Sequence, residues 1–197
     1  MSQLIFYDTG HIYELDGERV PSVSEITRFL SREIYGDVSQ YKLDHAAERG
    51  TKVHKLTEAL DKYGEIEAPS DILPYLQAYL AFRAEHKVEW REIEKAHYHP
   101  DKLYAGTIDR VGMVDGKTCI VDIKTSSSLK KPLYGAQLNL YRMMLPNLEI
   151  DALYILHLKN DGKYKLVELP IADDVALACI TLHEATKKKR RKTSDRS

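Results

Sequence analysis

Alternating apolar and polar positions predict that the chain forms two separate regions of β-sheet. Near the N-terminus, residues 4–8 and 11–15 alternate in this way around an Asp8–Gly10 turn, which predicts a β-hairpin. A second turn signal follows at Asp16–Gly17. Further along, the pattern predicts strands over 88–99, 104–114, 117–125, 152–158 and 163–169. The Asp115–Gly116 pair predicts a tight turn between the second and third of these strands.

Apolar residues repeat at helical spacing in most of the remaining segments. Helices are predicted over 41–63, 70–86 and 133–145, with a last one running from about 173 into the C-terminal residues. Ser22 or Ser24 is the predicted N-cap of a short early helix, and Ser70 or Asp71 that of the helix over 70–86. Gly50 marks either the start of the first long helix or a kink in it. This order predicts an α/β fold in which one mixed β-sheet is flanked by helices.

The composition is that of a single soluble domain. The chain has 197 residues, of which 43% are hydrophobic and 30% are charged. No apolar run approaches the ~20 residues that a membrane span needs, and the first residues lack a signal-peptide pattern. The two cysteines, Cys119 and Cys179, lie far apart, which excludes a thiolate-based zinc or iron–sulfur site. We therefore expect an intracellular protein, cytoplasmic or nucleoid-associated, without a membrane partner.

Charge is distributed unevenly along the chain. Residues 187–197 contain seven basic residues and one acidic residue, a net charge of +6, so the remainder carries −7 of the total of −1. We expect this basic tail to be disordered, although it could also hold phosphates or act as a nuclear-targeting signal. An acidic body that handles DNA would need a local groove, or a metal ion that offsets its carboxylates.

A pair of opposite charges interrupts the most apolar predicted strand. Asp122 and Lys124 are two positions apart and therefore share one face of the sheet. If the Asp115–Gly116 turn sets the register, Asp109 lies directly opposite Asp122, with the two Cβ atoms ~4.5–5.5 Å apart. Asp122 and Lys124 alone would indicate a half-buried ion pair, but a second carboxylate requires more positive charge than one lysine supplies.

A magnesium ion meets that requirement. Mg²⁺ binds oxygen ligands, needs only one or two carboxylates, and keeps waters and substrate phosphate oxygens in its remaining positions. Such an ion lowers the pKa of a bound water and stabilises a leaving oxygen. Lys124 would position or help to deprotonate the attacking water, or neutralise charge in the transition state.

This combination of residues resembles the signature of the PD-(D/E)XK nuclease superfamily, an acid followed by a strand that ends in acid–x–lysine. The two parts are "GTIDR", with Asp109, and "VDIKTS", with Asp122 and Lys124. Ile108 stands where the signature has proline, a common departure. The resemblance implies a restriction-endonuclease-like fold, here with an added N-terminal β-hairpin and helical segment. One nuclease domain would span 1–186, divided into N-terminal hairpin and helices (1–87) and a catalytic core (88–186).

Three further motifs narrow the resemblance to the RecB-like exonuclease branch. Gln137 and Tyr141 in "QLNLY" are similar to its Q-x-x-x-Y motif, and they lie on one face of the predicted helix. His54 in "RGTKVH" is similar to its upstream metal-ligand histidine. "VPSVSEIT" is similar to a segment of phage-type and mitochondrial genome-maintenance exonucleases. Taken alone, His54 would be a helix-surface residue, and Gln137 and Tyr141 an ordinary pair of helix neighbours.

The resemblance implies a metal-dependent DNA exonuclease that hydrolyses phosphodiester bonds with metal-activated water, in DNA recombination, repair or replication. The implied metal ligands are His54, Asp109, Asp122 and the carbonyl of Ile123. The implied catalytic residues are Lys124, Asp109, Asp122 and an upstream glutamate. The residues that would orient the site or bind DNA are Gln137, Tyr141, Ser22, Ser24 and Thr125. Glu94 is the glutamate we expect, with Glu89 and Glu92 as alternatives.

The expected cofactor is Mg²⁺, for which Mn²⁺ would substitute. A nucleotide cofactor is not expected, because residues 112–118 have one residue too few between their glycines to form a phosphate-binding P-loop. The expected partner is DNA, at linear ends, together with a helicase or single-strand-annealing protein. Two alternatives remain: a structure- or sequence-specific endonuclease of the same fold, and a non-catalytic nucleic-acid-binding module.

Overall fold

The chain begins with a small antiparallel sheet. The computed structural model describes the backbone of residues 2–36, 40–64 and 66–194, and the side chains of all of these except 40–43 and 188–194. The first three strands are β1 (Leu4–Tyr7), β2 (Ile12–Leu15) and β3 (Glu18–Val20), in the order β1-β2-β3. Asp16 and Gly17 both have positive φ, 53° and 83°, and form the two-residue turn between β2 and β3. The predicted hairpin is therefore extended by a third strand.

Four helices follow this sheet. They are α1 (Val23–Ile26), α2 (Arg28–Tyr35), α3 (Gln40–Tyr63) and α4 (Leu73–Glu85). Ser22, rather than Ser24, caps α1 in a capping box with Glu25. α3 begins at Gln40 and runs through Gly50, so the glycine does not mark the start of this helix. Ile72 is the N-cap of α4, because a turn closed by hydrogen bonds to the carbonyl of residue 69 comes before the helix.

The central sheet contains the other five strands. These are β4 (Val88–His99), β5 (Tyr104–Val114), β6 (Lys117–Lys124), β7 (Ala152–Leu158) and β8 (Tyr164–Leu169), with α5 (Lys131–Met143) between β6 and β7, and α6 (Asp174–Ser194) at the end. The order is β4-β5-β6-β7-β8, and β6 and β7 are the parallel pair among antiparallel neighbours. The predicted mixed sheet is thus confirmed.

Helices cover both faces of this sheet. On one face, α1, α5 and α6 pack over residues such as Ile120 and Leu153. On the other face, α3 and α4 pack over Val121, Ile123 and Leu156. Because β6 is covered on both faces, Asp122 and Lys124 lie within the protein rather than at a solvated edge, whereas Lys117 at the start of the strand is exposed. This architecture matches the predicted one, a mixed sheet flanked by helices, with an added N-terminal sheet.

The last helix extends into the basic segment. α6 runs to Ser194, in line with the helix predicted from about residue 173 into the C-terminal residues. Residues 195–197 lie outside the described part of the chain, and the division into 1–186 and 187–197 stays a prediction. Lysine and arginine are good helix formers, and neither glycine nor proline occurs between 174 and 194 to stop the helix earlier. None of the described helices combines the length and the apolar character that crossing a membrane requires.

Candidate metal centre and active-site cleft

One cleft of about 610 Å³ lies where the N-terminal sheet, α3, the central strands and α5 meet. Every residue that the sequence predicted for the site lines it: Ser22, Ser24, His54, Glu94, Asp109, Asp122, Ile123, Lys124, Thr125, Gln137 and Tyr141. The alternative glutamates face elsewhere, since Glu89 is paired with Lys87, and Glu92 with Lys95 and His97. Among the three glutamates considered, Glu94 is thus the one placed to take part.

The register of β5 and β6 brings the two aspartates together. Asp115 and Gly116 have φ values of 50° and 83°, as a two-residue hairpin turn with both central residues at positive φ requires. Pairs run from Val114–Lys117 to Arg110–Val121, so the next positions in this register are Asp109 and Asp122. The Asp109 Oδ2 atom then accepts a hydrogen bond of 2.7 Å from the backbone N–H of Ile123. The predicted juxtaposition of the two acids is present.

His54, Glu94 and Asp109 form a compact cluster of potential metal ligands. Their ligand atoms lie within 4.8 Å of one another. His54 Nδ1 is 3.1 Å from Glu94 Oε1 and 3.6 Å from Asp109 Oδ1, while its Nε2 is 3.1 Å from the carbonyl oxygen of Ile123. Burial lowers the pKa of His54, but the charges of Asp109 and Glu94 outweigh it and raise the pKa to about 9. Both ring nitrogens thus donate to oxygens, and the imidazolium supplies positive charge between the carboxylates.

Glu94 reaches this cluster through an unusual backbone conformation. Its φ is 48°, a left-handed value that costs a non-glycine residue about 1–2 kcal/mol. It lies between the pairs Ile93–Arg110 and Lys95–Ile108 of the β4–β5 ladder, opposite Asp109. Strained backbone of this kind persists where surrounding contacts fix it, and it is frequent at functional sites.

Arg110, which the sequence analysis did not single out, fixes Glu94 from behind. Its side chain is fully buried and donates hydrogen bonds to Glu94 Oε1 at 3.1 Å, Asp61 Oδ2 at 2.8 Å and Thr57 Oγ1 at 3.2 Å. Burial lowers its pKa, but Tyr79 and the surrounding acids outweigh this and keep the guanidinium charged. The available signal was an arginine, directly after Asp109, in an otherwise apolar strand. Two of its partners, Asp61 and Thr57, come from α3, and the sequence alone does not reveal that α3 lies next to Arg110.

Asp122 lies beside the cluster rather than in it. Its Oδ2 atom is 2.6 Å from Lys124 Nζ, and its Oδ1 accepts a hydrogen bond of 3.4 Å from Gln137. Burial raises the pKa of Asp122 to about 6; Lys124 opposes this rise and Asp109 adds to it. Oδ2 is buried against this ammonium. A direct role of Asp122 as a metal ligand stays a prediction.

Lys124 is held as a cation in this environment. Burial lowers its pKa, yet the carboxylates of Asp122 and Asp109 outweigh burial and raise the pKa above its ordinary value. Its Nζ also lies 5.2 Å from the centre of the Tyr134 ring, a cation–π arrangement. A lysine that holds its proton so firmly is suited to stabilising negative charge. It is poorly suited to accepting a proton from water.

The Q-x-x-x-Y pair packs against the acids because β5 has a glycine beneath it. A Cβ atom at Gly106 would lie 2.8 Å from Cε1 of Tyr141 and 3.0 Å from Cγ2 of Val23, closer than real contacts allow. The missing side chain therefore lets the Tyr141 ring lie against the strand. Gln137 Nε2 donates to the Tyr141 hydroxyl at 3.0 Å and to Asp122, so the pair orients the acid side of the cleft.

The remaining predicted residues have structural partners of their own. The hydroxyls of Ser22 and Ser24 are 2.8 Å apart, and Ser22 also caps α1. The carbonyl of Thr125 accepts a hydrogen bond of 3.3 Å from Arg49 of α3. These contacts explain their positions at the rim of the cleft, and a DNA-binding role for them stays a prediction.

The donor set fits a hard divalent cation. The cluster offers one imidazole nitrogen and two carboxylates, and a backbone carbonyl lies next to the imidazole. Oxygen-rich sets of this kind suit Mg²⁺ and Mn²⁺, whereas the two cysteines, which soft metals would prefer, are buried elsewhere. The buried Oδ2 of Asp122, beside Lys124, adds a further carboxylate oxygen next to the cluster.

Comparison with known proteins finds similarity at the level of overall structure only. No protein-family model matches this chain, and no curated protein matches it. An alkaline exonuclease from Laribacter hongkongensis, LHK-Exo, is 16% identical over 89% of this chain and 92% of its own, with a TM-score of 0.40. The same enzyme in complex with dAMP is 16% identical over 90% of this chain and 95% of its own, with a TM-score of 0.38. The protein SSO0001 is 20% identical over 85% of this chain and 74% of its own, with a TM-score of 0.42. The two acids on β5 and β6 belong to the mixed sheet flanked by helices that the sequence predicted.

Proposed function

We propose that this protein is a divalent-metal-dependent deoxyribonuclease that acts as an exonuclease on DNA ends. The observation that carries the proposal is the His54–Glu94–Asp109 cluster, which shares one cleft with the buried Asp122–Lys124 pair. Neither group alone indicates hydrolysis of a phosphodiester. Together they supply a cation site, and beside it a fixed positive charge that does not belong to the cation site.

The cluster would hold Mg²⁺ or Mn²⁺ through His54, Glu94, Asp109 and the carbonyl of Ile123. When bound, the cation would lower the pKa of the attacking water and offset the charge of the phosphate. The imidazolium of His54 would have to lose a proton on binding, because a metal ligand must be the neutral ring. Arg110 keeps Glu94 directed at this point throughout.

Lys124 would stabilise the transition state on the other side of the phosphate. Its ammonium is oriented by Asp122, and Asp122 is in turn oriented by Gln137. Because its pKa is raised, Lys124 remains protonated at neutral pH and contributes charge rather than general-base catalysis. The preorganised ammonium lies in a largely water-excluded site, where electrostatic stabilisation is strongest.

The Lys124→Ala variant tests this assignment. Wild-type protein should degrade linear DNA with Mg²⁺ or Mn²⁺ and lose activity in EDTA, and Lys124→Ala should lose roughly 10²–10³-fold in rate, as expected for removal of one preorganised charge. Lys117→Ala is the matched control, since Lys117 lies at the other end of β6 and pairs with Glu168 outside the cleft. Activity of the wild type that persists in EDTA would contradict the proposal.

Substrate topology separates the exonuclease from an endonuclease of the same fold. An exonuclease must leave closed circular single- and double-stranded DNA intact, whereas an endonuclease cuts both or one of them. Support for the exonuclease comes from Gln137 and Tyr141, which match the Q-x-x-x-Y motif of the RecB-like branch and line the cleft. A non-catalytic binding module would show no cleavage of any of these substrates. A helicase or single-strand-annealing partner, and a role in recombination, repair or replication, remain predictions from the resemblance.

A further inference from the structure

The wall of the cleft opposite α5 is aromatic and belongs to the N-terminal sheet. Phe6, His11 and Tyr13 line the cleft from β1, the turn after it, and β2. Phe6 and Tyr13 are direct partners in the β1–β2 ladder, and their rings stack at 4.8 Å with an interplanar angle of 28°. His11 is edge-on to both rings, at 5.0 Å and 5.4 Å.

Burial is graded across these three rings. Tyr13 is only 1% exposed, Phe6 is half-buried and His11 is exposed. The Tyr13 hydroxyl forms a hydrogen bond of 2.9 Å with Thr107 Oγ1, which anchors the small sheet to β5. Tyr13 is therefore a structural base, while Phe6 and His11 offer ring surface to the cleft. We call Phe6 and His11 the aromatic platform.

The platform lies close to the proposed metal centre. Thr107, to which Tyr13 is bonded, is two residues before Asp109 on β5, a separation of ~7 Å along the strand. The negative charges of Glu94 and Asp109 also act on the Tyr13 hydroxyl. A nucleotide whose phosphate lay at the cluster would therefore bring a neighbouring base to this wall.

The chemistry of the platform suits a base rather than a phosphate. Phe6 is apolar, and partial desolvation of the His11 ring lowers its pKa. His11 holds this position at φ = 52°, a left-handed conformation that few non-glycine residues adopt. An aromatic ring stacks on any nucleobase with little regard to sequence.

We infer that an unpaired nucleobase next to the cleaved phosphate stacks on one ring of the aromatic platform and contacts the second ring, which lies at 80° to the first, with its edge. This contact makes single-stranded DNA or an unpaired end the preferred substrate. This inference rests on the proposed nuclease function and specifies its substrate class. A base inside a duplex is stacked on both sides by its neighbours and cannot present a face to a protein ring. Only a terminal, frayed or single-stranded nucleotide can use the platform.

The aromatic platform is tested by a double-mutant cycle that compares DNA binding when the protein rings, the DNA base or both are removed. Binding is measured by fluorescence anisotropy in the Lys124→Ala background with Mg²⁺, so that the DNA stays intact. The variants are Phe6→Leu, which keeps apolar contact with Tyr13, and His11→Asn, since asparagine tolerates positive φ. Tyr7→Leu is the matched control, because Tyr7 lies on the other face of β1 and is 43% exposed.

A short single-stranded oligonucleotide should bind about tenfold more weakly to the platform double variant than to its parent, as for the loss of one base–aromatic stack. Single abasic positions introduced along the same oligonucleotide should weaken binding to the parent by a similar factor at one position. At that position the double variant should show no further loss. Tyr7→Leu should bind like the parent. The inference would be overturned if the double variant lost the same factor in affinity for the normal oligonucleotide and for every abasic one, or lost no affinity at all.

The two levels of the proposal fail differently. Cleavage of linear DNA by the wild type with Mg²⁺, measured in parallel, reports on the nuclease function alone. Cleavage without any coupling between base and platform overturns the platform and leaves the nuclease intact. Absence of both DNA binding and cleavage overturns both. His11→Asn alone, at an exposed position, gives the same comparison if Phe6→Leu does not fold.

Discussion

Among the individual residues of the site, Arg110 connects α3 to the central sheet. It is the largest fully buried side chain of the protein that the structure describes, and it bridges Asp61 of α3 to Glu94 of β4. The backbone strain at Glu94 is offset by this contact, because the guanidinium fixes the carboxylate on the metal side. A buried charge of this kind is costly to leave without its partner.

Arg110→Met should therefore be strongly destabilising. It removes the buried cation that Asp61 and Glu94 share and leaves Asp61 with Arg83, and Glu94 with His54, as cationic partners; a loss of about 3–5 kcal/mol in the free energy of unfolding is expected. Urea denaturation measures this loss. Arg91→Met is the control, because Arg91 is exposed on the same sheet and its side chain donates to the Met113 sulfur, so it should change stability by less than about 0.5 kcal/mol. Equal stabilities of the two variants would show that the Arg110 network is not required.

At the scale of secondary-structure elements, the pairing of the strands positions the site residues. The sequence predicted this pairing best for β5 and β6. The Asp115–Gly116 turn fixes the β5–β6 register, so the pairing of Asp109 with Asp122 followed from two turn residues. The choice of Glu94 over Glu89 and Glu92 could not follow in this way. It depends on a register shift between Trp90 and Glu92 and on positive φ at Glu94, which no local pattern announces.

The approach of α3 to the sheet was also beyond the sequence pattern. Arg110 and its partner Asp61 are 49 positions apart in the sequence, and His54 and Ile123 are 69 positions apart. Helical periodicity identifies which face of α3 is apolar, but not where along the sheet that face lies. The motif similarity placed His54 at the metal centre, where periodicity alone would have left it on a helix surface.

A substitution at Gly106 tests how closely α5 must approach β5. A methyl group at this position would meet Tyr141 Cε1 at 2.8 Å and Val23 Cγ2 at 3.0 Å, so Gly106→Ala must displace Tyr141 or α1. We expect a loss of about 1–3 kcal/mol in unfolding free energy, together with reduced nuclease activity, because Tyr141 holds Gln137. Gly135→Ala, within α5, is the control. Its added methyl meets nothing within 4 Å, so stability should be unchanged or rise by up to about 1 kcal/mol.

Across the whole molecule, the proposed centre joins parts of the chain that are distant in sequence. His54 comes from α3, Glu94 from β4, Asp109 from β5 and the Ile123 carbonyl from β6. A cation bound by all four would bind the folded state and not the unfolded chain, since the unfolded chain does not bring these groups together. Metal affinity should then appear directly as folding stability.

Mn²⁺ should accordingly raise the free energy of unfolding, by about 2.7 kcal/mol when its concentration is a hundred times the dissociation constant. Thermal unfolding in EDTA and in increasing Mn²⁺ measures the effect independently of any nuclease activity. Glu94→Gln should remove most of the dependence on Mn²⁺, whereas Glu92→Gln should retain it, because Glu92 pairs with Lys95 and His97 away from the cluster. If both variants respond to Mn²⁺ like the wild type, the cation binds elsewhere, and the charge of the cluster serves only to hold α3 on the sheet.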